Sequence, residues 1–68
     1  MTAGDRLAMR LKQWRKRRAH MSQRELARRA GLSRAYVARL EIGRHDPTLS
    51  TLEKLAKALR VKVTRLLE

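Results

Sequence analysis

The sequence contains no cysteine, one proline, one tryptophan, one tyrosine and no phenylalanine among its 68 residues. Without cysteine it can form neither a disulfide framework nor a thiolate zinc site, which is compatible with a reducing cytoplasm. It also lacks an apolar stretch long enough to span a membrane and the apolar segment of a signal peptide. We therefore expect a cytoplasmic protein with no membrane partner.

Acidic residues are scarce as well. The chain carries 18 Lys and Arg against 6 Asp and Glu, a net charge of +12. Residues 1–45 hold 13 basic and 3 acidic side chains (net +10), and residues 46–68 hold 5 and 3 (net +2). Such a charge on a small body favours polyanions, nucleic acid first and an anionic membrane second. We expect the binding surface to belong to the first two thirds of the chain.

The length allows one small domain, residues 1–68, with a small core. Catalysis would need a nucleophile with a positioned base, or carboxylates converging in a pocket, and the six acids are scattered along the chain. His20 and His45 fall in different connections, where we interpret them as polar loop residues. We therefore expect no enzymatic activity, no metal site and no cofactor.

Hydrophobic spacing predicts an all-α protein. Leu7, Leu11 and Trp14, continued by the aliphatic stem of Arg18, share one helical face and predict a first helix over about 6–18, with Asp5 as N-cap. The apolar pattern of LSTLEKLAKAL at 49–59 predicts a fourth helix, and residues 61–67 predict a short fifth.

Two short helices are predicted between these. Ser22 and Glu25 form an S-x-x-E capping box that starts a second helix over about 23–30. Gly31 is suited to a left-handed residue that ends it, and Ser33 caps a third helix over about 34–42. The turn at 31–33 thus joins the two helices tightly. Either Thr48 or Ser50 caps the fourth helix, and Ser50 with Glu53 offers a second capping box.

The third helix has an unusual outer face. Val37 and Leu40 point inward, which leaves Arg34, Ala35 and Arg39 among the residues on the opposite side. Two arginines framing small residues permit close approach to another molecule, and arginine can donate two hydrogen bonds to guanine.

The stretch MSQRELARRAGLSRAYVARLE at 21–41, continued by Gly43, Pro47 and LSTLEKLAKAL, resembles the phage-repressor and Cro-type helix-turn-helix domains (lambda-repressor-like, XRE family) of bacterial transcription regulators. The resemblance covers roughly residues 5–67 and implies a compact five-helix bundle whose third helix enters the DNA major groove. It implies contact with DNA for seven residues: a phosphate contact and a buttressing role for Gln23, base contacts for Ser33, Arg34, Ala35 and Arg39, a position beside the bases for Tyr36, and a phosphate contact for Arg44.

The sequence departs from the family pattern at three points. The connection between Trp14 and Gln23 is one residue longer than usual, so either Arg15 or Lys16 can fill the position that pairs with Glu41. Glycine often ends the fourth helix of the family, and a capping residue often starts the fifth. Here these positions hold Arg60 and Lys62.

The resulting hypothesis is a sequence-specific regulator that binds double-stranded DNA, a repressor acting as a homodimer on a palindromic operator, with half-sites roughly 34 Å apart. Two alternatives are an antitoxin that binds a protein toxin and regulates its own operon, and a cationic membrane-active peptide, against which the capping boxes argue. For Val61, Val63, Leu66 and Leu67 we weigh two roles, a dimer interface and closure of the monomer core.

Overall fold

The computed structural model describes residues 3–67, without the side chains of Ala3, Arg18 and Ala19. The described residues form five α-helices and one π-helical segment and contain no strand. The α-helices are α1 (Ala3–Gln13), α2 (Gln23–Ala30), α3 (Arg34–Glu41), α4 (Leu49–Leu59) and α5 (Val63–Leu67), and the π segment (Trp14–Ala19) comes directly after α1. The predicted all-α, five-helix class is confirmed.

The first helix differs from its prediction at both ends. It begins at Ala3, so Asp5 lies in its first turn instead of capping it, where its charge still complements the helix dipole. Its last six residues are π-helical instead of α-helical. The predicted extension of the apolar face by the Arg18 side chain lies outside the described residues.

The π segment lies in the connection that the resemblance makes one residue longer than the family pattern. A π-helical turn holds one more residue than an α-helical turn, so a helix can take in an insertion without shifting the residues on either side of the turn. The segment ends at His20, which adopts a left-handed conformation (φ 50°) with its N–H donating to Arg15 O. The added residue is therefore contained within the helix.

The core is made almost entirely of leucine, alanine and valine from all five helices. Its fully buried members are Leu11, Leu26, Val37, Leu40, Leu55, Leu59 and Leu66. Trp14, Val61 and Val63 are partly buried against it. Leu66 therefore closes the monomer core, whereas Leu67 is 53% exposed.

The remaining helix ends lie close to the positions predicted from the sequence. Helix α3 ends at Glu41, one residue before the prediction, because Ile42 has left the helical region (φ −106°, ψ 9°). Thr48, and not Ser50, caps α4, its hydroxyl accepting from the Thr51 N–H at 3.2 Å. Arg60 ends α4 with φ 59°, the left-handed conformation for which glycine is the usual residue.

The helices pack in a way that separates α3 from α4. Helix α3 packs on α1 and α2, while α4 packs on α2, α5 and the π segment, and α5 packs on α1. Helix α3 and the α4–α5 pair therefore both pack on α1 and α2, with little direct contact between them. In the described part of the chain, no helix is long and apolar enough to cross a membrane.

Candidate nucleic-acid interface

A tight turn joins α2 to α3, as the sequence predicts. Ser22 Oγ accepts from the Glu25 N–H at 3.0 Å and fixes the start of α2. Gly31 ends α2 with φ 72°, and the Leu32 N–H donates to Ala27 O at 2.8 Å. Ser33 Oγ then accepts from the Tyr36 N–H at 3.1 Å and starts α3. Both helix starts and the turn are thus set by local hydrogen bonds.

The outward face of α3 is the one that the periodicity predicts. Val37 is 0% exposed and Leu40 is 1% exposed, so these two residues hold α3 against the bundle. Arg34, Ala35 and Arg39 are exposed on the other side. The small Ala35 between two long cations leaves room for close approach of a partner.

Tyr36, Arg39 and His45 form a cluster at the edge of this face. Arg39 Nε donates to His45 Nε2 at 2.9 Å. The His45 and Tyr36 rings lie 5.6 Å apart at an angle of 54°. His45 therefore fixes one end of the Arg39 guanidinium and leaves its two terminal nitrogens as a fork of donors.

His45 lies in a loop, as predicted, and it also makes a contact with Arg39 that the sequence did not indicate. Sequence reasoning missed its contact because His45 lies in the connection between α3 and α4, outside any periodic pattern. Its spacing of six residues from Arg39 was the available signal. The chain turn at Gly43 (φ 76°) and the Arg44 N–H bond to Arg39 O at 3.0 Å bring the loop back beside α3.

A buried ion pair ties α3 to the π segment. Arg15 Nε donates to Glu41 Oε2 at 2.6 Å and Arg15 Nη2 donates to Glu41 Oε1 at 2.9 Å, with the two side chains 8% and 2% exposed. Arg15 Nη1 also donates to Met21 O at 2.7 Å. Arg15, not Lys16, thus fills the position that the sequence left open, and Lys16 is exposed.

Gln23 connects the start of α2 to the same pair. Its Nε2 donates to Glu41 Oε1 at 3.1 Å, so the side chain supports the end of α3. An amide nitrogen carries two hydrogens, so one can serve Glu41 while the other serves a phosphate. Gln23 is also the first residue of α2, where backbone N–H groups and the helix dipole favour an anion.

The remaining predicted residues occupy different environments. Ser33 is exposed, but its hydroxyl is engaged in capping α3. Tyr36 is partly buried against the core and turns its ring toward His45. Arg44 is exposed directly after the C-terminal turn of α3. The structure thus groups Arg34, Ala35 and Arg39 on one face, with the Gln23 side chain on Glu41 at the end of α3 and Arg44 directly after that end.

Acidic groups hardly reduce the positive charge of α2. Glu25 pairs with Arg28, whose hydrogen bonds lower the pKa of the Glu25 carboxyl group below its ordinary value. A longer contact of 3.6 Å joins Glu25 to Arg29. One carboxylate therefore faces two arginines, and the surface stays positive.

The fold and the geometry of this site define a DNA-binding helix-turn-helix domain of the type found in transcription regulators. The HTH_3 helix-turn-helix family model matches residues 11–66. The chain belongs to this family.

Known proteins of two kinds are similar to it in sequence. The immunity repressor protein of Bacillus phage phi105 is 45% identical over 64 residues, which are 94% of this chain and 41% of that protein. The control protein C.SmaI of Serratia marcescens is 46% identical over 48 residues, 71% of this chain and 57% of that protein. The chain thus spans less than two thirds of either relative.

Solved structures agree with the fold. The restriction-modification controller protein C.AhdI from Aeromonas hydrophila superimposes with a TM-score of 0.89 at 33% identity, covering 93% of this chain and 94% of that one. The hypothetical transcription factor NHTF from Neisseria gives a TM-score of 0.93 at 39% identity, covering 98% and 76%.

Proposed function

We propose that the protein is a sequence-specific repressor that binds a palindromic operator as a homodimer in the cytoplasm, with α3 in the major groove. The observation that carries this proposal is the outward face of α3, where Arg34 and Arg39 flank the small Ala35 while Val37 and Leu40 anchor the helix behind them. The similarity to a phage immunity repressor supports the same role.

The roles of the contact residues derive from their positions. Arg34 opens α3 and Arg39 comes more than one turn later on the same side, so the two arginines address different base pairs. Gln23 and Arg44 bind phosphates and set the register of the protein on the duplex. Gln23 binds a phosphate while its side chain also donates a hydrogen bond to Glu41. It therefore links contact with the DNA backbone to the position of α3.

The homodimer requires a surface that leaves α3 accessible. Leu67, at the end of α5, is a large exposed apolar side chain in the least basic third of the chain. An isologous contact through this end of α5 covers it and presents two copies of α3 to one side of the duplex. Leu66, by contrast, belongs to the monomer core.

The experiment is a comparison of variants on two duplexes. Sites are selected from random duplex DNA, and each variant is titrated against the selected site and a scrambled duplex at one salt concentration. Arg34→Ala should weaken binding to the selected site by about 1–3 kcal/mol and affect the scrambled duplex much less. Gln23→Ala should weaken both duplexes more evenly.

Lys12→Ala is the matched control, because Lys12 is an exposed cation of α1 that is not among the predicted DNA contacts. It should weaken both duplexes slightly and equally. Equal losses on both duplexes for Arg34→Ala would identify Arg34 as a phosphate ligand and remove the base-reading role. An antitoxin role would instead appear as a tight complex with a protein encoded beside this chain.

A further inference from the structure

A second cationic surface lies away from α3. Two grooves meet at Arg60, one of about 350 Å³ between α2 and α4 and one of about 380 Å³ between α5 and the π segment. Their walls carry six basic side chains and one indole. We call this the rear cationic surface, and it consists of Arg29, Lys54, Lys57, Arg60, Lys62 and Arg65 around Trp14.

The distribution of charge along the sequence does not indicate this surface. The last third of the chain has a net charge of only +2, yet all five of its basic residues line these two grooves. Within the described residues, no salt bridge joins Lys54, Lys57, Arg60 or Lys62 to a carboxylate, and Arg29 has the 3.6 Å contact with Glu25. Among the described residues, the positive charges of Lys54, Lys57, Arg60 and Lys62 are therefore not offset by direct ion pairs.

The surface is separate from the proposed duplex-binding face. It is formed by the C-terminal half of α4, the α4–α5 connection, α5, the end of α2 and Trp14. No residue of α3 lines either groove. A duplex lying along α3 therefore leaves these grooves open.

The shape and chemistry of the grooves favour a flexible strand. Their volumes lie near the lower end of the range that holds small ligands, a size that suits single nucleotide units. Ala30 and Ala58 line the first groove between its cations, and Trp14 with Val61 forms an apolar wall in the second. Cations that track phosphates beside an aromatic ring that stacks on bases are what single-stranded nucleic acid requires.

We propose that the rear cationic surface binds single-stranded nucleic acid while α3 holds duplex DNA. Phosphates lie on the basic side chains of both grooves, and a base packs against the indole of Trp14. The site recognises no base identity, because stacking and phosphate contacts are available to every nucleotide.

The test uses the fluorescence of Trp14 as the reporter of binding, since Trp14 is the only tryptophan of the chain. The protein, alone and saturated with a fluorescein-labelled selected duplex, is titrated with oligothymidylate of about 12 nucleotides, a length within the usual single-strand site size. We expect saturable quenching of the Trp14 emission in both cases. The anisotropy of the labelled duplex should stay constant, because the two sites are separate.

Variants that each remove one positive charge distinguish binding at this surface from a general effect of net charge. Lys57→Gln and Lys62→Gln should each weaken oligothymidylate binding roughly three- to fivefold, while Lys12→Gln, which removes the same charge from α1, should weaken it less than twofold. Duplex affinity should respond equally to all three. The titration of the protein alone does not depend on operator binding. Failure of the repressor proposal can therefore be distinguished from failure of the single-strand proposal.

Three results would overturn the proposal. Displacement of the labelled duplex by oligothymidylate would place the single strand on α3. Equal effects of Lys57→Gln and Lys12→Gln would show that oligothymidylate binding depends only on the net charge of the protein. Binding of a polyglutamate peptide that is sensitive to Lys57→Gln, with no quenching by oligothymidylate, would assign the surface to an acidic protein segment instead.

Discussion

Arg39 Nε donates a hydrogen bond to His45 Nε2, 2.9 Å away, and so joins α3 to the loop that comes after it. The Nε2 atom of the His45 imidazole accepts this bond through its lone pair. The bond restrains the long Arg39 side chain in the free protein. Under the proposed function, His45 thus positions Arg39 before the duplex binds.

Removing this restraint should reduce discrimination between DNA sequences. His45→Ala should weaken binding to the selected duplex by about 0.5–1.5 kcal/mol, the usual contribution of one hydrogen bond, and change binding to a scrambled duplex little. His45→Gln keeps an acceptor and should recover most of the loss. Titrations of both duplexes at fixed salt measure these effects. Equal weakening on both would mean that His45 contacts phosphate instead of positioning Arg39.

The buried pair of Arg15 and Glu41 should dominate the response of the fold to substitution. Arg15→Ala leaves the buried Glu41 carboxylate with Gln23 as its remaining side-chain donor, and should lower the free energy of unfolding by about 3 kcal/mol. The double variant Arg15→Met with Glu41→Leu should recover most of this loss. Urea unfolding followed by circular dichroism provides the values. A loss below about 1 kcal/mol for Arg15→Ala would contradict a desolvated pair.

Two left-handed residues should respond in opposite directions. Arg60→Gly should raise the free energy of unfolding by about 1 kcal/mol, because glycine adopts φ 59° without the Cβ penalty. Gly31→Val should lower it, although no atom lies within 4 Å of a Cβ at that position, because a β-branched residue resists φ 72°. Ala35→Ser, on the exposed face of α3, should leave the melting temperature nearly unchanged. Thermal melts of the three variants give the comparison.

Salt should control the affinity for DNA. If the protein neutralises Z phosphates, the log–log slope of affinity against salt is about −0.9Z. Arg44→Ala removes one phosphate contact, so the slope should become shallower by about one unit while the preferred sequence stays the same. Titrations between about 50 and 200 mM salt measure the slope. An affinity independent of salt would refute the assignment of phosphate contacts.

The end of α5 offers a test of self-association. Leu67→Glu should lower the fraction of dimer in sedimentation without changing the melting temperature, because Leu67 is 53% exposed. Leu66→Ala should instead destabilise the fold by about 2–5 kcal/mol, because Leu66 is fully buried. Met9→Glu, which alters a similarly exposed residue of α1, is the control. An unchanged dimer in Leu67→Glu would exclude this interface.

Local features were the ones that the sequence could predict. Ser22, Gly31 and Ser33 bond to residues within a few positions of themselves, so their spacing alone defines α2, the turn and the start of α3. The inward direction of Val37 and Leu40 derives from helical periodicity in the same way. The start of α1 was misplaced because Asp5 is equally suited to the first turn of a helix.

Features that depend on long-range packing could not be predicted. The choice of Arg15 over Lys16 depends on the π segment, which has no distinct composition. The position of His45 beside Arg39 depends on the path of a loop. The rear cationic surface assembles side chains from positions as far apart as Arg29 and Arg65, and a running count of charge along the chain does not detect such an assembly.

The π segment also bears on how this chain tolerates changes of length. Because the π segment spans Trp14–Ala19 and the His20 N–H donates to Arg15 O, we expect that removal of one codon between positions 16 and 19 converts it to an ordinary α-helical turn while Arg15 keeps its place opposite Glu41. The gain or loss of a single residue here should thus leave α2 and α3 where they are. On this expectation the segment is a point at which the gene can change length while the rest of the fold is kept.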